Sequence, residues 1–384
     1  MKTRKQIYLD YAAATPVDPK VRAAMEPYSA HAFYNPSATY LAARQVARAI
    51  LDARAKVAVV LGARPAEVIF TAGGTESNNL AIQGVMQAYP KSNVVISAIE
   101  HESVLKPALQ YQHKMSKVLA DGRIDLTDLK TKIDDSTVLA SIIYANNEIG
   151  TIQPLRDIAK LLDAVRQQRR NNGNMLPLYF HTDACQAAAY LDLHARRLGV
   201  DLLTLNGGKM YGPKQSGVLY VRTGTVLKPQ IVGGGQEYGQ RSGTENVPAI
   251  IGLSKALELV QTRREFESAR LRELQNLFLS LVSEKIPSAV VNGSIKHRLP
   301  NNIHITFPGL DNERLMMQLD EAGIMCAAGS ACSASNEDPS HVLKAIGLSD
   351  AEAQASLRFT MGRATTKTDI VHTVSTLAAI TSID

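Results

Sequence analysis

Asn206-Gly207-Gly208-Lys209-Met210-Tyr211-Gly212-Pro213 lies between two apolar runs, Leu202-Leu203-Thr204-Leu205 and Gly217-Val218-Leu219-Tyr220-Val221. Such uninterrupted runs read as buried strands, the first of them a strand of a parallel sheet. A lysine on a glycine-rich bend between buried strands is in an odd place, because lysines are seldom buried without a partner. Two readings stay open from this stretch alone. One is a surface-loop lysine. The other is a desolvated amine able to form a Schiff base with a carbonyl cofactor.

Upstream, the same strand-then-polar-loop pattern recurs. Val68-Ile69-Phe70-Thr71-Ala72-Gly73-Gly74-Thr75 reads as strand, glycine turn and helix, with Thr75 at the N-cap. Free N–H groups at a helix start make an anion site. The stretch is neither GxGxxG nor a P-loop, so it does not suggest a nucleotide. Val94–Ile96 leads to Glu100-His101-Glu102-Ser103, and Val138–Ile143 leads to Asn146-Asn147-Glu148-Ile149-Gly150. Leu178-Tyr179-Phe180 leads to His181-Thr182-Asp183-Ala184-Cys185-Gln186. Apolar strands alternating with helices predict a parallel α/β sheet, with polar groups gathered at the strand ends where a ligand crevice forms. Ser37 is expected to cap a helix through Val46, Ile50 and Val57 that stops at Gly62.

Downstream, a long helix is predicted from about Pro248 to Lys285. Beyond it, Ile303–Phe307 and Leu357–Met361 alternate polar and apolar residues, as half-buried strands do. The fold class expected is α/β, with a large, mostly parallel mixed sheet over 15–258. A smaller α+β domain comprises 1–14 and 259–384. A chain of 384 residues is long for a single core.

The composition is 45% hydrophobic and 20% charged, and no apolar run approaches a membrane span. The net charge of +6 is spread along the chain, so no nucleic-acid or membrane partner is expected. No signal peptide is indicated at the N-terminus. Cys185, Cys326 and Cys332 leave one thiol over in any disulfide scheme, which fits a cytoplasmic location and a reactive thiol. No metal site is expected.

Several side chains suit cofactor chemistry. Asp183, 26 residues before Lys209, either caps a helix or holds a protonated pyridine nitrogen. His101 either packs structurally or works over a cofactor ring, an unperturbed imidazole titrating near ~6.5. Arg358 is either a surface residue or a two-pronged grip for a carboxylate. Cys332 sits in Ala327–Asn336, which holds no bulky side chain to anchor it, so a mobile loop carrying a thiol is expected.

These pieces, in this order, resemble the cysteine desulfurases of the NifS/IscS type. The resemblance rests on LDYAAATP at Leu9–Pro16, NPS at Asn35–Ser37, FTAGGTESNNLAI at Phe70–Ile82, EHESV at Glu100–Val104, NNEIG at Asn146–Gly150 and DACQ at Asp183–Gln186. It continues through KMYGPK at Lys209–Lys214, GGGQE at Gly233–Glu237, RSGTENVP at Arg241–Pro248, GSACSA at Gly329–Ala334 and LRFTMGR at Leu357–Arg363.

The resemblance implies a fold-type I homodimer using pyridoxal 5'-phosphate, with active sites at the subunit interface. It implies a sulfur-acceptor or iron–sulfur scaffold protein as partner. In it Lys209 matches the Schiff-base lysine and Cys332 the sulfur-accepting nucleophile. His101 matches the ring-stacking histidine, Asp183 the pyridine-nitrogen partner and Gln186 the donor to the ring hydroxyl. Asn147 matches the asparagine beside cofactor and substrate. Gly74 and Thr75 match the phosphate-binding turn, and Thr244 a phosphate contact given to the neighbouring subunit. Arg358 with Asn35 matches the grip on the substrate carboxylate.

Two departures stand out. Asn206-Gly207-Gly208-Lys209 replaces the usual Ser-Gly-His-Lys or Ser-Ala-His-Lys, so Asn206 remains as a donor to the phosphate but Gly208 has no side chain. A hydrogen bond to a charged group is worth about 1.5–3 kcal/mol. Cofactor binding is therefore expected to be weaker by roughly ten- to hundred-fold than in a histidine-bearing relative. Gln215 replaces a usual glycine. The competing readings are a selenocysteine lyase or aminotransferase on the same fold, or a partner-binding relative that no longer holds cofactor.

Overall fold

The computed structural model describes residues 6–329 and 339–382. The chain enters as β1 (Ile7–Tyr8). A central sheet follows, built from β2 (Val68–Thr71), β3 (Asn93–Ser97), β4 (His113–Ser116), β5 (Thr137–Ser141), β6 (Tyr179–Asp183), β7 (Leu202–Asn206) and β8 (Gly217–Val221). Its order is β2-β8-β7-β6-β5-β3-β4, and only β8 runs against the others. The sheet is the mixed, mostly parallel one expected. The lysine bend joins β7 to β8, the point where strand direction reverses.

Alternate residues of these strands enter two different apolar clusters. Phe70, Val95, Ala140, Phe180 and Leu203 pack with helices Leu41–Leu61 and Leu155–Asn171 on one face. Ile69, Val94, Ile96, Leu139 and Leu202 pack with helix Gly74–Ala88 on the other. Burial on both faces is why these strands read as continuous apolar runs rather than alternating ones.

Helix Val247–Lys285 spans both halves of the molecule, about 60 Å at 1.5 Å per residue. Its Val247–Val260 segment packs in the first cluster, and Leu271–Val282 packs in another with Ile7, Leu9 and the C-terminal strands. Those strands are β9 (Val290–Val291), β10 (Asn302–Thr306), β11 (Ile324–Met325) and β12 (Ser356–Thr360). β12-β10-β9 form an antiparallel sheet, and β11 pairs with β1 in parallel.

Three local expectations are corrected. β10 and β12 are buried on both faces, not half-buried. Their apolar side chains enter the core, while the polar ones are covered by other protein groups. Ala12 N donates to Thr360 Oγ1, and Asn302 Nδ2 donates to Glu148 O at 2.9 Å. The alternation records polarity, not exposure. The first long helix starts at Leu41 rather than at Ser37, because the Asn35 side chain accepts from Ser37 N at 2.9 Å and closes a turn there. Gly62, with φ of 59°, ends the helix where expected. Gly73, not Thr75, is the N-cap of helix Gly74–Ala88; its φ of 144° is a conformation only glycine takes readily, so the chain turns earlier.

The N-terminal arm ties the two halves together beside the lysine bend. Thr360 N donates to Leu9 O at 2.7 Å, and Tyr11 N donates to Thr360 O at 3.2 Å. Further along, Thr15 N and Oγ1 both donate to Gly208 O, and Thr15 Oγ1 accepts from Tyr211 N at 2.8 Å. No helix among the described residues is long and apolar enough to cross a membrane.

Candidate active site

The carboxyl ends of β2, β3, β5, β6 and β7 open into one cleft of about 700 Å³. Lys209, Asp183, His101 and Asn147 line it, with Gln186, Asn206, Gly74, Thr75 and Arg358. Nine of the predicted site residues therefore meet in one place. Asn35 and Thr244 do not line this cleft. Both are exposed, and Thr244 borders a second cleft of about 710 Å³ beside Gln215 and Arg241. Cys332 lies outside the described residues.

Lys209 ends the short turn Gly207–Lys209, whose second N–H is held by the residue before the turn: Gly208 N donates to Asn206 Oδ1 at 3.0 Å. Lys209 Nζ donates to Ala13 O at 2.6 Å, so the small-residue arm meets the amine directly. A Cβ placed on Gly208 would lie 3.4 Å from Asn206 Oδ1 and 3.6 Å from Lys214 Cγ, ordinary contacts that leave room for a side chain. Gln215 holds a φ of 55°, in the left-handed region that favours glycine.

Asp183 ends β6 and is buried. Cys185 N donates to its Oδ1 at 2.9 Å and Asn78 Nδ2 to its Oδ2 at 2.7 Å. Gln186 Nε2 donates to Ala12 O at 3.0 Å. His101 caps helix Glu102–Ala108 through Nδ1, which accepts from Ser103 N at 3.1 Å. Arg358, only 1% exposed, reaches across from β12; its Nη2 donates to Asp10 Oδ1 at 2.7 Å and its Nη1 to Asn147 O at 3.0 Å.

The cleft also holds Asn78 and Ser103, which the sequence reading did not single out, and Cys185, one of its three thiols; Asp10, the partner of Arg358, was not singled out either. Asn78 had a usable signal, since it lies four residues after Gly74 and so on the same helix face. Asp10 had none, being 348 residues from Arg358. Glu100 is fully buried beside the cleft. Its Oε1 accepts from Ser97 Oγ and from Ile143 N at 2.8 Å, while its Oε2 has no partner. Burial pushes its carboxyl up to about 8, and nearby Asp183 adds to the rise. Burial pushes the Cys185 thiol well above its usual range, and raises Cys326 to about 12. Neither is a thiolate at neutral pH.

The donor set suits a pyridoxal phosphate. A Cβ on Gly74 would come within 2.8 Å of Cys185 Sγ and 3.4 Å of Asn206, so only a bare backbone fits at this helix start. The first N–H groups of a helix have no intrahelical partner and attract an anion. A carboxylate, an imidazole, a side-chain amide and an amine stand around the same volume.

Known proteins resemble this chain over nearly its whole length. Residues 7–372 match the family model described as Aminotransferase class-V. A "Cysteine desulfurase IscS" of Dictyoglomus turgidum is 41% identical over 384 residues, covering 98% of this chain and 95% of the relative. Another of that name from Clostridium botulinum is 37% identical, covering 98% and 94%. Among solved structures, a "NIFS-LIKE PROTEIN" superposes with a TM-score of 0.90 at 29% identity, covering 99% of this chain and 100% of its own. "SspA in complex with cysteine" does so with a TM-score of 0.78 at 36% identity, covering 93% and 99%.

Proposed function

The chain belongs to the class-V aminotransferase family and is a cysteine desulfurase; we propose that it moves the sulfur of L-cysteine onto Cys332 as a persulfide and releases L-alanine. The observation that carries the residue assignment is the meeting of Lys209, Asp183 and His101 in one cleft, with the buried Arg358 on its wall.

Gly74, Thr75 and Asn206 would hold the phosphate end of pyridoxal 5'-phosphate, Asp183 its ring nitrogen, Gln186 its ring hydroxyl and His101 the ring face. Asn147 would sit beside cofactor and substrate. The bound cofactor supplies an electron sink that makes the substrate Cα proton acidic. Arg358 grips the substrate carboxylate and fixes which Cα bond faces Lys209, whereas Asn35, exposed and outside this cleft, is given no part in the grip. Lys209 Nζ takes the Cα proton and returns one to carbon. Cys332 Sγ, as thiolate, bonds to the substrate sulfur while the substrate carbon–sulfur bond breaks and leaves its electron pair on carbon; Cβ takes up a proton, balancing the one the Cys332 thiol gave up, and the carbon skeleton leaves as L-alanine. Cys185 and Cys326 are held protonated, which supports giving the nucleophile's part to Cys332.

The exposed Thr244 is assigned to a homodimer partner's phosphate site, and the persulfide to a sulfur-acceptor or iron–sulfur scaffold protein in the cytoplasm. The test is an absorbance spectrum before and after L-cysteine, with alanine and sulfide assayed together. A cofactor band lost in Lys209→Ala, with alanine formed only when Cys332 is present, is the expected result. Turnover surviving Cys332→Ala would point to an aminotransferase. No band after cofactor is added would point to a partner-binding protein.

A further inference from the structure

We propose that Asn78 and Ser103 are positioning residues that hold His101 as its Nε2–H tautomer and wire it to Asp183. The proposal deepens the reading above, since it rests on Asp183 and His101 belonging to the cofactor floor.

The argument starts at the carboxylate. Asp183 Oδ2 accepts hydrogen bonds, so the amide of Asn78 must turn its nitrogen toward it, at 2.7 Å. The same Nδ2 lies 2.8 Å from Ser103 Oγ, and its second proton goes there. Ser103 Oγ now has one proton left to place, and His101 Nδ1 stands 2.7 Å away. The backbone N–H of Ser103 points to the same Nδ1 at 3.1 Å, and a backbone N–H cannot reverse its role. Two donors thus converge on Nδ1. A neutral ring in that setting carries its proton on Nε2.

The wiring has a visible cost, which marks it as specified. Asn78 is fully buried, and its Oδ1 has no partner. Turning the amide over would set Oδ1 against the Asp183 carboxylate, so the orphaned oxygen is the consequence of serving Asp183 and Ser103 together. The order carboxylate, amide, hydroxyl, imidazole joins helix Gly74–Ala88 to the loop after β3 and the end of β6, three elements that converge only at this cleft. An Nε2 that already bears hydrogen cannot accept the Cys332 proton without first losing its own.

The test reads the ring itself. Protein labelled with [15N]histidine is recorded by two-bond 1H–15N correlation, with His101→Gln used to identify the resonance among nine histidines. The wild type should show an accepting Nδ1 and a protonated Nε2. Ser103→Ala should move Nδ1 toward the value of an unbonded ring nitrogen, and Ser103→Thr should return it. Asn78→Ala should move it the same way by less. In turnover, Ser103→Ala should lower kcat by about ten-fold with KM for L-cysteine unchanged, and Ser103→Thr should rescue it. A wild-type ring protonated on Nδ1, or an Nδ1 signal unmoved in both alanine variants, overturns the proposal. If Ser103→Ala does not fold, the wild-type spectrum and Asn78→Ala decide. The tautomer is read without turnover, so a chain that makes no alanine but keeps the Nε2–H ring sinks the desulfurase assignment and supports the wiring.

Discussion

Arg54 and Arg358 are both buried, and both reach a carboxylate, yet one is closed on its partner and the other is not. Arg54 Nη1 and Nη2 donate to Glu237 Oε2 and Oε1 at 2.6 and 2.8 Å, and Nη1 also reaches Val68 O at 2.6 Å. Phe70 N donates to the same Glu237 Oε2, and the guanidinium lies 4.8 Å from the Phe70 ring centroid. The pair fastens the turn at Glu237 and Tyr238, both of which hold positive φ. Arg358 instead sends one nitrogen to Asp10 and another to Asn147 O, and the Asp10 side chain is 18% exposed. A two-pronged pair is a fastening, even with Arg54 Nε left over. A single prong to a partly wet carboxylate can be exchanged for a substrate's.

The largest expected effect comes from breaking the closed pair. Arg54→Ala strands a buried Glu237, and losing one partner of a buried pair typically costs about 3–5 kcal/mol. Urea unfolding should show that loss, with turnover per folded molecule little changed. A stability within experimental error of wild type would mean that the pair is no fastening.

Arg358→Lys keeps the charge but removes the planar fork. KM for L-cysteine should rise roughly ten- to hundred-fold, the value of a hydrogen bond to a charged group, with a smaller fall in stability than Arg54→Ala. If stability collapses while KM holds, Arg358 belongs with Arg54 as a fastening, and the contrast is lost.

Glu100 sharpens the comparison from the other side, because in the described structure it pairs with no arginine or lysine. Its carboxyl is raised to about 8, so between about 4.5 and 8 the folded chain binds a proton that the unfolded chain does not. Folding stability from this group is therefore full below that window and falls as pH rises through it, by about 1.4 kcal/mol per pH unit. Glu100→Gln has the same shape and no proton to lose. Melting temperatures from pH 5 to 8.5 should show the wild type losing ground to the variant as pH rises, whereas parallel curves would refute the assignment.

The smallest effect is expected from Asp10→Asn, which leaves an oxygen facing Arg358 but removes the competing charge. KM for L-cysteine should fall by a few fold. A rise would show that Asp10 helps position Arg358 rather than standing in for the substrate.

Much of the cleft was legible before the fold. Lys209, Asp183, His101 and Asn147 announced themselves because each follows an apolar strand, and parallel strands deliver such residues to one edge. Thr75 has the chemistry of a cap but is not one, because glycine's freedom at Gly73 moves the turn earlier. At Ile303–Phe307 and Leu357–Met361 alternation points to half-buried strands, because it does not say what covers the polar face. Asn78 and Ser103 were passed over because their worth lies in each other and not in a motif.

Local periodicity and chain direction suffice for the strand-and-loop order, the mostly parallel sheet and the polar residues at its carboxyl edge. Only the tertiary structure decided which groups are wired together: Asp10 with Arg358, Asn78 between Asp183 and Ser103, and Glu100 sealed without a cation. Those pairings join residues up to 348 positions apart. They depend on where the N-terminal arm and β12 come to rest against the large sheet, which no local pattern encodes.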